Sequence, residues 1–518
     1  MRKTTFLILA FILTVSAFFR FYKITESPPG LYPDEAANGV NALDVLAGKN
    51  WKVFYPENNG REGLFINLQS LSIKYFGVQT WSLRIVSGIF GTLTVLGLFF
   101  LIQLFWGNSI ALLASYLMAV SFWPVNFSRI GFRAAMLPFV LVWAFYFLWS
   151  GMIKRSRLRI WLAGLIYGLG FHTYISWRVS PLLIILTFLI LLIIRHPVLD
   201  KRLVLKSLLI FGIGAMVTMV PLLLYYIQNP ADFLGRAVQV SIFNSPAPGT
   251  VLVESAIKTL GMFNFYGDGN WRHNLSGRPE LFWPIGVGFL IGLFYTLRHI
   301  KSPNNFFLIL WFLVMLLPNF LAPEGAPHAL RALGAMPAVF ILSAIGLSQF
   351  YNWLQNKLNR SAADFNNKLL SGKVKRIKRE LAIFSFLFLA WVGLWEYKTY
   401  FVVWSNKLEV VDNFDTRLTH IADYLNQLDS KVIKYVVVNE SGSIIKDAPI
   451  QAQPIMFLSY NKLINYITPD KLNSLPADLK NAVIIPTKTE KNITNRIKQK
   501  YPQIREVNLI TFKAFIIK

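Results

Sequence analysis

The sequence predicts a polytopic α-helical membrane protein followed by a small α/β domain, and three observations carry that prediction. Hydrophobic residues fill 54% of the 518 positions and charged residues only 15%, where a soluble protein would carry about a quarter charged. Apolar windows of about twenty residues, long enough to cross a bilayer, recur up to residue 402 and then stop. Lys and Arg gather in the short connections on alternate sides of these windows, the pattern of cytoplasmic loops. The excess of 52 Lys and Arg over 26 Asp and Glu, a net charge of +26, therefore describes membrane loops, and no nucleic-acid partner is expected.

Eleven windows are expected to span, near residues 5–22, 82–104, 110–127, 132–152, 160–177, 179–195, 207–227, 281–298, 304–320, 331–350 and 381–402. The first follows Met1-Arg2-Lys3 and imitates a secretory signal, but it lacks a small-residue cleavage site and reads as a retained span. With the amino terminus inside, the basic stretches 154–159, Arg195 to Lys206, Arg298 to Lys301 and Lys357 to Arg379 all fall in the cytoplasm. The outer face then receives residues 23–81, 229–280, 319–330 and the chain after about 403. This gives a membrane module over 1–402 and an extracytoplasmic domain over 403–518, in a multi-pass protein of the cytoplasmic membrane.

Within the first outer loop, Ala36, Val40, Leu43 and Ala47 share one helical face that ends at Gly48. Leu64, Phe65, Leu68, Leu71 and Tyr75 share another that ends at Gly77. Such helices lie in the membrane interface or pack between spans. After Asp412 charges and Asn become frequent. Short β-rich runs at 432–438, 455–458, 482–485 and 509–517 alternate with helical patterns at 416–428 and 492–501, the signature of a small α/β domain. Two glycan-acceptor patterns, at Asn439 and Asn492, are too short to carry weight. There is no cysteine, which excludes disulfides and thiolate chemistry.

The residues with chemical promise stand at the outer ends of spans, because a charge near the bilayer persists only when paired or used. Asp34 and Glu35 follow the turn Ser27-Pro-Pro-Gly-Leu-Tyr-Pro at the start of a helix. A carboxylate there can act as a general base, cap the first turn, or with its neighbour offer oxygen to a divalent metal. One carboxylate pair without further ligands makes metal the weaker claim, so the sequence specifies no cofactor and a divalent ion stays an open alternative. Arg129, Arg133, Arg178 and Arg331, with His328, lie on the same expected face. One outer arginine is ordinarily a snorkelling side chain. Four disfavoured by the positive-inside pattern suit the oxygens of a phosphate-bearing lipid. Asn59-Gly-Arg-Glu-Gly-Leu-Phe adds Arg61 and Glu62, which suit a surface ion pair. Gly267-Asp-Gly-Asn-Trp-Arg-His-Asn adds Asp268, Arg272 and His273. His172 and His273 read as structural hydrogen-bonders, since neither has a second His or Cys at ligand spacing.

A first span, an outer loop opening on Pro-Asp-Glu, helices beside it and a bundle of many spans resemble the GT-C type membrane glycosyltransferases. Asn59-Gly-Arg-Glu-Gly-Leu-Phe-Ile, His172-Thr-Tyr-Ile-Ser-Trp-Arg-Val-Ser-Pro, Asp268-Gly-Asn-Trp-Arg-His-Asn and Pro327-His-Ala-Leu-Arg-Ala-Leu-Gly narrow the resemblance. They point to glycosyltransferase family 39, the protein O-mannosyltransferase and aminoarabinose-transferase group, over about residues 5–350. The chain differs from the mannosyltransferase branch in having Gly-Arg-Glu-Gly where a His-Pro-Pro type turn is usual. The resemblance implies a GT-C bundle, a polyprenyl-phosphate sugar as donor, and inverting transfer to an acceptor on the outer face. It implies Asp34 as catalytic base with Glu35 beside it, and the four arginines and His328 on the donor phosphate. Arg61, Glu62, Asp268, Arg272 and His273 become candidates in the substrate loops. Membrane lipids are the remaining partner.

The rival reading is a transporter or flippase of a lipid-linked or anionic substrate. That function needs ionisable groups at mid-membrane and inverted repeats, and the sequence has neither. A receptor or assembly factor anchored by eleven spans is less economical still.

Overall fold

A computed structural model describes residues 2–193, 199–363 and 368–518. Arg195, which closes one expected span and opens a basic loop, lies outside the described residues, as does part of the 357–379 loop. The chain is mostly helical, as expected, and it divides into two compact units. The first comprises Met1–Tyr22, Ser87–Arg129 and Arg133–Trp404; the second comprises Lys23–Val86, Ile130–Phe132 and Ser405–Lys518. One unit boundary falls between Trp404 and Ser405. The outer loop differs: it was expected with the membrane module and instead forms one unit with the carboxy-terminal residues.

Six helices among the described residues are long and apolar enough to cross a membrane: Lys3–Phe21, Thr80–Val120, Arg133–Ile153, Ile175–Ile193, Lys201–Gln228 and Pro303–Leu321. Thr80–Val120 contains the expected span 82–104 and the first part of 110–127, broken at Gly107 with φ 80°, a conformation glycine adopts without steric cost; the rest of the second window continues past Ser121 as the short helix Phe122–Phe127. The shorter Trp283–Arg298 and the helices Met336–Ala363 and Lys368–Tyr397 take up the other late windows. The window at 160–177 is divided. Its helix stops at Leu169, and after the extended residue Tyr174 the chain enters the next apolar helix at Ile175. Arg178 therefore stands at the start of a helix.

The bundle packs through aromatic rings and close backbones. Phe145 meets Phe307 and Trp311 edge to face with centroids 5.1 and 4.8 Å apart, and Phe307 and Trp311 lie tilted at 5.8 Å. A Cβ on Gly292 would stand 1.8 Å from the Leu342 carbonyl oxygen, so only glycine lets these two helices approach as membrane helices prefer to. Leu209, Ile213, Val217 and Leu224 on Lys201–Gln228 are exposed. An apolar helix open on that side is what lipid contact requires.

The second unit contains a five-stranded sheet in the order 465–467, 433–437, 482–486, 513–517, 505–508. The first three strands are parallel and the last two antiparallel to their neighbours. Leu418, Ile421 and Leu425 of helix Thr416–Gln427 pack with Val436, Val483 and Ile485. Ile493 and Ile497 of helix Lys491–Lys500 pack with Val437, Ile484 and Phe515. Alternate side chains of the same strands thus face opposite layers, as the period of two demands. The run at 455–458 is a helix, Gln453–Leu458, rather than a strand; Pro454 in its first turn favours that start.

The two outer-loop helices, Pro33–Leu46 and Gly63–Phe76, bury their faces in this unit. Leu31, Ala36, Val40, Leu43, Ile66, Ile73 and Leu83 form one cluster with Phe457. A Cβ on Gly39 would meet the Phe457 ring at 2.6 Å. The expected stripe of the first helix is covered at Ala36, Val40 and Leu43, whereas the second helix buries Phe65, Ile66 and Ile73 and leaves Leu71 and Tyr75 of its expected stripe exposed.

Candidate active site

Asp34 and Glu35 occupy the first turn of Pro33–Leu46, yet their surroundings differ completely. Tyr32 is the residue preceding the helix and Pro33 takes its first position, so Asp34 stands one step too late to cap and makes no cap bond. Its Oδ1 instead accepts a hydrogen bond from Asn58 Nδ2, and the side chain is half-buried. Asn58 Oδ1 in turn accepts from Ser443 Oγ at 3.0 Å. Asn58, Asn59 and Gly60 all have positive φ, at 55°, 62° and 81°. This left-handed turn joins the short paired strands Phe54–Tyr55 and Arg61–Glu62 and brings Asn58 back to the helix.

Glu35 is fully buried against Arg84, with side-chain exposures of 0% for both. Arg84 Nε and Nη2 donate to the two carboxylate oxygens at 3.0 and 3.1 Å. Its Nη1 and Nη2 also donate to the carbonyls of Pro28 and Gly30 at 2.7 and 2.8 Å. Glu35 Oε1 accepts a further bond from Gly131 N–H at 2.7 Å. A carboxylate so engaged rivets the Pro-Pro-Gly turn to the helix, leaving Asp34 as the accessible acid of the two.

Arg61 donates to Asn38 Oδ1 at 2.9 Å and Asn41 Oδ1 at 2.7 Å, and approaches Glu57 at 3.7 Å. It ties the hairpin to the buried side of the Asp34 helix. Glu62 is buried beside it, immediately before helix Gly63–Phe76.

In the first unit a second constellation assembles from two loops. Asp268 Oδ2 accepts from His273 Nδ1 at 2.9 Å and from Ala329 N–H at 2.8 Å, and His328 Nδ1 stands 3.9 Å away. Asp268 Oδ1 accepts from Asn270 N–H at 2.7 Å. Asn126 Nδ2 holds the carbonyls of Arg272 and His273 at 2.8 and 3.0 Å. Glu280 Oε1 accepts from Asp268 N–H at 3.0 Å. Burial opposes ionisation of Asp268, but the His273 hydrogen bond and the nearby histidines outweigh it and hold its carboxyl below the usual range. Burial, then the Asp268 charge, push Glu280 well above its ordinary value. Burial, then the positive potential of His273 and Arg331, depress His328 well below its own. His273 was expected to lack a metal-ligand neighbour. The fold supplies one in His328 from another loop, which local spacing does not reveal.

Among the arginines, Arg331 is buried, with Nη1 donating to the carbonyls of Ala322 and Glu324 at 2.7 and 2.6 Å. Arg133 lies over the Tyr174 ring at 5.7 Å. Arg178 lies over Phe233 at 4.2 Å and donates to Tyr226 Oη at 3.2 Å and to the Phe233 carbonyl. Arg331 and Arg272 both act on the charge of His328, so these two join the Asp268 cluster. Arg129 is held by the Phe19 carbonyl at 2.9 Å and the faces of Phe401 and Tyr400. His172 bonds the Thr218 carbonyl at 2.8 Å, a structural role as expected.

Sequence reasoning missed Asn58, Arg84, Asn126 and Glu280. Arg84 carried a signal, a charge inside an apolar window; the other three carried none.

Residues 64–225 match the sequence family described as Dolichyl-phosphate-mannose-protein mannosyltransferase. A curated Bacillus subtilis (strain 168) protein, YkcB, named for mannosyl transfer, is 25% identical over 176 residues. That match covers 32% of this chain and 24% of YkcB, so the chain spans about a quarter of that relative's length. The fold matches the crystal structure of ArnT from Cupriavidus metallidurans bound to undecaprenyl phosphate, with a TM-score of 0.63 and 13% identity over 99% of this chain and 97% of that one. The Archaeoglobus fulgidus oligosaccharyltransferase AglB, in complex with an inhibitory peptide and a dolichol-phosphate, matches with a TM-score of 0.51 and 12% identity over 93% and 69% of the two chains. The chain is therefore a multi-pass membrane protein of the GT-C fold that carries, over residues 64–225, the sequence pattern of the dolichyl-phosphate-mannose-protein mannosyltransferases.

Proposed function

We propose that this protein is a glycosyltransferase that moves a sugar from a polyprenyl-phosphate donor to an acceptor hydroxyl on the outer face of the cytoplasmic membrane. The transfer inverts the anomeric centre, and Asp34 is the general base. The observation that carries this reading is the separation of the two acids: Glu35 is locked onto Arg84, whereas Asp34 is half-buried and oriented by Asn58. The family match and the shared fold with ArnT, whose structure holds undecaprenyl phosphate, support the donor class.

In the proposed reaction Asp34 takes the acceptor hydroxyl proton as that oxygen attacks the anomeric carbon. The bond from that carbon to the phosphate oxygen breaks, and the lipid phosphate leaves with the electron pair. Arg133, Arg178 and Arg331, with His328, stabilise its charge, and Arg129 completes the cationic set. Arg61, Glu62, Asp268, Arg272 and His273 shape the loops that receive donor and acceptor.

The test is incubation of purified protein with a panel of polyprenyl-phosphate sugars and mass spectrometry of the products. Asp34→Asn should lower transfer by about 10²–10⁴-fold with unchanged thermal unfolding in detergent. Full activity in that variant rejects the base; no glycosidic product from any donor rejects the reaction class.

A further inference from the structure

We infer that the second unit carries a pocket for one anionic sugar residue, a hexuronate or a sugar phosphate, beside the Asp34 helix and the turn that follows helix Gln453–Leu458. The cavity measures about 200 Å³. That is room for about seven waters at about 30 Å³ each, and it falls below the roughly 300–1,000 Å³ of pockets for drug-sized ligands. A single ring fits it.

Three pieces of chain supply its polar groups. The turn after Leu458, in which Lys462 N–H donates to the Ser459 carbonyl at 2.8 Å, presents Ser459, Tyr460 and Lys462. Strand 465–467 adds Tyr466. The hairpin of Ile444–Ile445 with Ala448–Pro449 adds Lys446 from a two-residue turn, with φ 50° at Lys446 and 60° at Asp447. Two successive left-handed residues are what such a tight hairpin requires. Val40, Leu43 and Met456 give the apolar remainder.

Two features point to an occupant. Ser459 is only 4% exposed, and its Oγ is buried without a hydrogen-bond partner, which a folded chain normally avoids. A ligand hydroxyl supplies that partner. Cations also outnumber acids here. Asp44 pairs with Lys446 at 2.6 Å and with Lys49 at 3.1 Å, so one carboxylate serves two lysines. Lys462 is exposed, and burial, then the Lys462 charge, lower the pKa of the neighbouring Lys434. The surplus positive potential draws an anion. Burial raises the Tyr466 hydroxyl above its ordinary range, so it stays protonated and can donate. With the half-exposed Tyr460 it offers ring faces to sugar C–H groups and O–H groups to sugar oxygens. Val40 and Leu43 stand six and nine positions beyond Asp34 on one helix, about 9 and 14 Å at about 1.5 Å per residue. On the transfer reading, on which this last assignment alone rests, the occupant is an acidic residue of a glycan acceptor, held beside the base rather than at it.

Binding is measured without any sugar donor, so its failure and that of the transfer reading are separate results. Full-length protein in detergent is titrated with glucuronic acid, glucose 6-phosphate and glucose, followed by ligand-observed saturation-transfer NMR, with inorganic phosphate as competitor. Both anionic sugars should bind saturably, and glucose and phosphate at least ~10-fold more weakly, about the worth of one charge-assisted hydrogen bond. Lys462→Gln and Tyr460→Ala, at exposed side chains, should each weaken binding about as much. Ser459→Ala should weaken binding while thermal unfolding stays unchanged or rises, because its hydroxyl has no protein partner to lose. Lys491→Gln, at an exposed lysine of another helix, should bind as wild type. Four results overturn the site: no saturable binding of either anionic sugar, glucose or phosphate binding as tightly, wild-type affinity in Lys462→Gln, or a Ser459→Ala that loses stability and keeps its affinity.

Discussion

The Glu35–Arg84 pair makes a quantitative prediction about how the candidate base is held. Arg84 makes four hydrogen bonds, two to Glu35 and one each to Pro28 and Gly30, at 2.7 to 3.1 Å. At about 1.5–3 kcal/mol per charged bond their sum would be roughly 6–12 kcal/mol. Much of that is offset by taking two ions out of water, and removal of one partner from a buried pair typically costs about 3–5 kcal/mol. Glu35→Gln and Arg84→Met should each lose about that much, because each leaves the opposite charge buried alone. The double variant leaves neither charge, so its loss should fall short of the sum by about 2–3 kcal/mol. Denaturant unfolding in detergent, followed by tryptophan fluorescence, measures all three. Losses under about 1 kcal/mol, the value of an exposed pair, or strict additivity would refute the reasoning. Activity per folded molecule in Glu35→Gln adds a second check: a fall as deep as that of Asp34→Asn would give Glu35 a chemical role.

Two further outcomes follow from burial. Glu280 has a folded pKa raised by burial and by Asp268, so between 4.5, its ordinary value, and the raised value the folded state binds more protons than the unfolded one. Its contribution to stability is therefore lost as pH rises through that window. Glu280→Gln in chelator-treated protein should flatten this decline in thermal unfolding between acid and neutral pH; an unchanged slope contradicts it. Phe457 is fully buried against Gly39 and the outer-loop helices, so Phe457→Ala should cost about 3–5 kcal/mol and weaken transfer by loosening the Asp34 helix, whereas a loss under 1 kcal/mol would place that ring outside the load path.

The helical windows were readable because membrane spans announce themselves by composition alone: the described part of each window is mostly helix, with breaks after Val120 and Leu169, and six helices among the described residues are long and apolar enough to cross a membrane. In the carboxy-terminal domain the runs at 432–438 and 482–485 and the end of 509–517 are strands as expected, the strands 465–467 and 505–508 were not foreseen, and Pro454 starts a helix in an apolar run too short to show a period. Side-chain partnerships were far less legible. Asp34 and Glu35 are adjacent and chemically alike, and only the fold separates them: one meets Asn58 across 24 positions, the other Arg84 across 49. His273 and His328 come together from loops on either side of two apolar helices, a pairing that no local spacing encodes.

The bond from Ser443 to Asn58 spans 385 positions, and it has a consequence for how the protein is made. The loop bearing Asp34 is among the first parts synthesised, but its apolar cover, the Phe457 segment, is among the last. At about 5–20 residues per second, the loop waits ~20–80 s for the residues that complete its core. Throughout that time the cluster of Leu31, Val40, Leu43 and Ile73 lacks Phe457. The Asp34 helix thus acquires the Phe457 side of its core only when translation is nearly finished, so an incomplete chain with every apolar helix made would still lack that packing.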